Sequence, residues 1–179
     1  ALRGLDFETA RAVADEAAQG EVCQAANDND PAQVVVSGHK AAVERALSIA
    51  KEKGAKRAVL LPVSAPFHSS LMVTAATVMA DALDAVEIAT PAVPVVSNVL
   101  APPVTEPAQI RALLVEQITG SVRWRESIAM MAAAGVTEVF EIGAGKALSG
   151  MVKRIDRAVT ATAVSGPDDA RAMAALINA

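Results

Sequence analysis

Apolar positions recur along the first third of the chain at two alternating periods. Between Asp6 and Gly20 they fall at Ala10, Val13, Ala14 and Ala17, the three-to-four spacing of a helix. Asp6 or Glu8 opens it and Gly20 closes it. Residues 21–26 read as a strand, and the Asn/Asp/Pro cluster at 27–31 reads as a turn, because Asn and Asp bond their own backbone and Pro ends pairing. Residues 33–37 form a second, β-branched strand, predicting an antiparallel pair. Residues 40–53 form an amphipathic helix with Ala42, Val43, Ala46, Leu47 and Ala50 inward and Gly54 as its stop. Residues 57–63 are the next strand. With a strand remnant at 1–4, the order over residues 1–62 is β-α-β-β-α-β, the ferredoxin-like pattern.

From residue 63 the rhythm changes to alternating strands and helices. A helix over 70–85 carries Leu71, Ala75, Val78, Met79, Ala82 and Leu83 on one face. A short buried strand follows over 93–99, a proline-marked turn at Pro102-Pro103, and helices over 107–118 and 124–134. A β-rich run at 137–142, a helix at 146–156, a strand at 158–164 and a helix at 168–177 complete the chain. Such alternation predicts an α/β fold with a parallel sheet covered on both faces.

Composition narrows the function. Of the 179 residues 53 % are apolar and 20 % charged, enough for a core in one domain or in two small ones sharing an interface. A formal net charge of -4 argues against a nucleic-acid surface, and it means that grip on an acidic protein needs a local basic patch. No apolar run approaches the ~18 residues of a membrane span. The single cysteine, Cys23, cannot form an internal disulfide, which fits a reducing cytoplasm, and it reads as a small strand residue. Two histidines and one cysteine without clustered carboxylates offer no metal ligand set.

Chemistry concentrates at Leu61-Pro62-Val63-Ser64-Ala65-Pro66-Phe67-His68-Ser69-Ser70-Leu71-Met72. His68 stands on a strand-to-helix loop, and an imidazole passes protons both ways near neutral pH. On position alone it reads either as a general base or as a loop residue capping the helix and packing on Phe67. His39, beside Gly38, reads as a structural residue at a helix start. The turn Gly143-Ala144-Gly145-Lys146 lacks the other positions of a phosphate loop or a dinucleotide fingerprint. It reads as a tight strand-to-helix turn.

Six short words in order carry a resemblance. They are Asn27-Asp28-Asn29-Asp30-Pro31 with Gln33, Ser37-Gly38-His39, the Pro66-Phe67-His68 segment, Pro94-Val95-Val96-Ser97-Asn98-Val99, Val122-Arg123-Trp124, and Glu141-Ile142-Gly143-Ala144-Gly145-Lys146-Ala147-Leu148. Together they resemble the malonyl-CoA:acyl-carrier-protein transacylase family, with Asp30 where that family usually has serine. The resemblance implies a ferredoxin-like small subdomain at 1–62 and the C-terminal part of an α/β-hydrolase-like subdomain at 63–179, about the last three-fifths of such an enzyme. It implies His68 as catalytic base, with backbone carbonyls near Gln117 and Asn98 facing its ring, most clearly at Gln117. A carbonyl accepting from Nδ1–H would do the orienting work of a triad aspartate. Phe67 would wall the acyl pocket beside C2, and Asn29 would hydrogen-bond substrate. Malonyl-CoA is the implied thioester substrate and acyl carrier protein the partner, with no permanently bound cofactor.

The chain contains no G-x-S-x-G serine, and the family's carboxylate-binding arginine word is absent from it. The resemblance therefore assigns these residues the base half of a site whose nucleophile would come from an N-terminal part outside them. Two other readings stand beside it: an acyltransferase domain of a polyketide or fatty-acid synthase, and a non-catalytic scaffold or binding module.

Overall fold

The computed structural model describes residues 1–177, the side chain of residue 177 excepted. The described chain divides into two compact units, one over residues 1–127 and one from residue 128 onward.

The first unit opens with strand β1 (Leu2–Arg3), helix α1 (Phe7–Ala18), strands β2 (Cys23–Asp30) and β3 (Gln33–Gly38), helix α2 (Lys40–Glu52) and strand β4 (Arg57–Ala58). The four strands form an antiparallel sheet in the order β2-β3-β1-β4. Asp6 caps α1 by accepting from the Thr9 amide at 2.8 Å. The helical faces read from sequence are the ones that pack: Ala10, Val13, Ala14 and Ala17 of α1 join Ala42, Ala46 and Ala50 of α2 in one core with Leu2, Val34 and Val36. Small alanines let both helices approach the sheet closely. Cys23 is buried in this core, and desolvation pushes its thiol up to about 11.

Two features of this half differ from the sequence expectation. The Asn/Asp cluster is not a loop: β2 runs through Asp30, and the turn is Pro31 and Ala32. Register shifts between Ala25 and Asn27 and between Asp28 and Asp30 bend the strand, and Asp28 and Asp30 are buried with partners of their own. The strand expected over 57–63 ends at Ala58; Leu60, Leu61 and Val63 lie exposed in an irregular stretch.

Beyond it come a single 3₁₀ turn (Ser70–Met72) leading into α3 (Val73–Asp84), strands β5 (Val95–Ser97) and β6 (Leu100–Val104), helix α4 (Pro107–Glu116) and helix α5 (Trp124–Ala133), whose residues from Ile128 onward belong to the second unit. β5 and β6 form an antiparallel hairpin, so Pro102 and Pro103 sit inside a strand and not in a turn. A two-stranded ribbon has free edges, where a missing N–H breaks no ladder. The strand expected to be buried is open, with Val93 and Val95 exposed, and α3 buries none of its residues.

The second unit holds β7 (Glu138–Ile142), α6 (Ser149–Ile155), β8 (Thr160–Val164) and α7 (Pro167–Ile177). β7 and β8 pair in parallel from Glu138 with Thr160 to Ile142 with Val164, a β-α-β unit. They are the only parallel strand pair among the described residues, so a broad parallel sheet is not formed. Helix α6 starts at Ser149, three residues later than its pattern suggests, because the Glu141 carboxylate organises the turn before it. That carboxylate accepts from the Leu148 amide at 3.1 Å, the Ser149 amide at 2.7 Å and the Ser149 hydroxyl. The Ser149 bonds hold the Glu141 carboxyl below its usual range. An internal carboxylate thus takes the amides that a phosphate loop would offer to a ligand.

Candidate active site

The site grows out of the loop that follows β4. Pro62 and Pro66 stiffen the approach, and the Ser69 hydroxyl, fully buried, donates to the Pro66 carbonyl at 2.7 Å, closing a tight turn around Phe67 and His68. Within that turn His68 adopts φ +56°, a left-handed conformation uncommon for any residue with a side chain. Such a conformation persists only where neighbours over-determine it. The next amide, Ser70 N–H, donates at 2.7 Å to the Gln24 side-chain oxygen on β2.

The ring of His68 has a defined partner. Its Nδ1 lies 2.7 Å from the backbone carbonyl of Gln117. A carbonyl only accepts, so Nδ1 carries the hydrogen, and the neutral imidazole keeps its lone pair on Nε2. Gln117 caps α4, and its carbonyl is among the last-turn acceptors that helix geometry leaves without an internal partner. The helix end is thus a ready acceptor for a ring N–H.

Asn98 is joined to this arrangement at two points. Its carbonyl accepts from the Arg123 amide at 2.7 Å, and its side-chain amide donates to the Gln117 side-chain oxygen at 2.8 Å. Residues 98, 117 and 123 are thereby tied together. The segment after Gln117 is also fastened to β2. The Val122 amide donates to Ala26, the Asp28 amide donates to Val122, both at 2.8 Å, and the Ser121 hydroxyl donates to Ala25. Arg125 bonds both oxygens of the buried Asp28 carboxylate at 2.9 and 3.0 Å, which holds the guanidinium above its usual value.

A cavity of about 540 Å³ opens between this loop and the small sheet. Its lining includes Leu61, Phe67 and His68 of this loop and Asn27, Val36, Gly38 and Val43 of β2, β3 and α2. Phe67 is 47 % exposed, so its ring is a wall of the cavity and not core packing. Asn27 lines the cavity; Asn29, two residues along β2, is not among its lining residues. His39 is engaged elsewhere: it stands before α2, its amide donates to the Val22 carbonyl at 2.8 Å and its Nδ1 accepts from the Val22 amide at 2.9 Å. No group of three or more potential metal-ligating side chains occurs among the described residues. No helix among them is long and apolar enough to cross a membrane.

Of the residues singled out from sequence, the structure brings His68, Gln117, Asn98 and Phe67 into one neighbourhood and leaves Asn29 beside it. Gln24 and the Asp28–Arg125 pair escape sequence reading. Nothing local marks an exposed strand glutamine, and the two members of the ion pair are 97 residues apart.

The chain is 47 % identical over 169 residues to the malonyl CoA-acyl carrier protein transacylase of Bacillus subtilis, an alignment that takes in 94 % of this chain and 53 % of that protein. The chain belongs to the malonyl CoA-acyl carrier protein transacylase family. A crystal structure of an acyl-carrier-protein S-malonyltransferase from Bartonella henselae superposes with a TM-score of 0.93 at 46 % identity, covering 99 % of this chain and 57 % of that one. A malonyl-transacylase solved in complex with its type II polyketide acyl-carrier protein superposes at 0.89, with 40 % identity over 99 % of this chain and 57 % of its own. The chain therefore spans about half the length of the transacylases it matches. No family model matches it.

Proposed function

We propose that this chain supplies the base half of a malonyl transfer from coenzyme A to the phosphopantetheine thiol of an acyl carrier protein, a step of fatty-acid synthesis in the cytoplasm. The observation that carries the proposal is the 2.7 Å contact between His68 Nδ1 and the Gln117 carbonyl, at the wall of an open cavity. It leaves Nε2 as the proton acceptor. Nε2 takes the proton from a serine hydroxyl outside these residues as the oxygen attacks the malonyl thioester. The carbon–sulfur bond then breaks, and the imidazolium returns the proton to the departing coenzyme A thiolate. In the second half, Nε2 takes the proton of the carrier thiol, sulfur attacks the acyl-serine ester, and the serine oxygen regains the proton. A neutral carbonyl replaces the usual triad carboxylate, so the ring is oriented without a second buried charge.

Phe67 is the wall that crowds a substituent at C2 of the acyl group. Asn98 holds Gln117 through its side chain, and Asn29 is the residue assigned to hydrogen-bonding the substrate. The sheet order β2-β3-β1-β4 with α1 and α2 supports a ferredoxin-like small subdomain over 1–62, with 63–179 assigned to a hydrolase-like subdomain. The test is malonyl loading of a carrier protein by the native-length protein, read by the carrier's mass. His68→Ala is expected to slow loading by roughly a hundred- to ten-thousand-fold. Loading at the parent's rate would overturn the assignment, and no loading by the parent itself would favour a scaffold.

A further inference from the structure

We infer that Gln24 is a positioning residue for the catalytic histidine, an inference that rests on the transacylase reading of His68. Three bonds meet on the turn that carries the ring. His68 Nδ1–H donates to Gln117, the Ser69 hydroxyl donates to Pro66, and the Ser70 amide donates to Gln24. The first two act within the loop and across to α4. Only the third ties the turn to the four-stranded sheet, whose neighbouring residues Cys23 and Ala25 are buried in its core. A left-handed residue such as His68 relaxes unless both flanks are held. Ser69 holds its flank through a bond to the preceding proline, and the amide just beyond has Gln24 as its partner.

The same strand also holds the carbonyl side. Ala25 and Ala26 accept from Ser121 and Val122, and Asp28 receives Arg125, all just downstream of Gln117. Consecutive residues of β2 therefore fasten both members of the His68–Gln117 pair, Gln24 on the ring side and residues 25 to 28 on the acceptor side. The bond that Gln24 accepts is solvent-exposed, so it contributes little to folding. Its consequence lies in geometry: it fixes where the histidine turn sits against the sheet.

The bond needs only a side-chain oxygen at that reach, which makes the test selective. In the native-length protein, Gln24→Ala is expected to lower kcat for malonyl transfer by roughly ten- to a hundred-fold with KM nearly unchanged, the size of effect a sub-ångström misplacement produces. It should also weaken the downfield proton resonance of the His68 Nδ1–H bond and speed exchange of the Ser70 amide. Gln24→Glu keeps an oxygen acceptor and should restore most of kcat and of the resonance. Parent-like kcat and resonance in Gln24→Ala, beside an inactive His68→Ala, overturn the inference and leave the function standing. Equal losses in Gln24→Ala and Gln24→Glu also overturn it, since the oxygen would then be irrelevant. Undiminished transfer in His68→Ala overturns inference and function together.

Discussion

Replacing Gly38 by alanine is expected to cost far more than its one added carbon suggests. Gly38 ends β3 opposite Cys23, and a Cβ there would stand 2.0 Å from the Val22 carbonyl oxygen, 2.7 Å from its carbon and 2.8 Å from Cys23 Cα. These are backbone atoms, with no rotamer to swing away. Ordinary contact begins near 3.4 Å, so one strand would have to recoil by about 1.4 Å. The recoil would break the two bonds joining residues 22 and 39, the His39 amide to the Val22 carbonyl and the Val22 amide to the His39 ring. Two such bonds contribute roughly 1 kcal/mol each, and overpacking adds roughly 1–3, giving about 3–5 kcal/mol. That is a large part of the ~5–15 kcal/mol that keeps a domain folded. Gly20 makes a matched control: it has φ +89° and nothing within 4 Å of a built Cβ, so alanine there adds backbone strain alone, roughly 1–2 kcal/mol. Urea titrations of the two variants against the parent, fitted with a common m-value, measure the difference. Gly38→Ala no more destabilised than Gly20→Ala would refute the reasoning, because crowding would then have been absorbed without breaking the Val22–His39 pair.

Two further outcomes are expected. Glu141 has its folded carboxyl depressed by the Ser149 bonds, so its contribution is complete above the ordinary glutamate range near about pH 4.3 and is lost as pH falls through the folded value. Glu141→Gln should therefore flatten the acid limb of a stability-against-pH curve, and parallel limbs for parent and variant would show that the carboxylate does not organise the turn. Phe67→Ala should raise the kcat/KM ratio of methylmalonyl-CoA to malonyl-CoA by roughly tenfold, the usual effect of admitting one extra carbon to a pocket; an unchanged ratio would remove Phe67 as the wall.

The sequence was most legible where a segment meets its partners nearby. The inward alanines and valine of α1 and the alanines of α2 were placed from spacing alone, because both helices pack on strands within a few residues of their own ends. Legibility failed where a side chain's partner is remote. Asn27 to Asp30 have turn chemistry locally, yet Asp28 is paired with Arg125 and its amide with Val122, and those bonds keep the chain extended. Apolar spacing in α3 and at Val93 and Val95 was read as burial, but spacing shows only that a residue is apolar, and burial also needs a covering surface. His68 was legible through the words around it. Its left-handed backbone and its 2.7 Å contact with a residue 49 positions away were not.

The geometry also bears on which perturbations reach the chemistry. A ring and a carbonyl 2.7 Å apart lose their bond if either shifts by much less than a helical turn, and the two sit on separate segments. What they share is β2, whose residues 24 to 28 contact both segments and whose Cys23 and Ala25 side chains belong to the hydrophobic core of the unit. A substitution that loosens the α1–sheet packing, for instance at Val13, would therefore be transmitted along β2 to both partners at once. One confined to solvent-exposed positions of α3, such as Val73 or Val78, removes no packing against β2, although that helix starts only five residues from His68. Distance along the chain from the histidine is a poor guide to kinetic sensitivity here; connection to β2 is the better one.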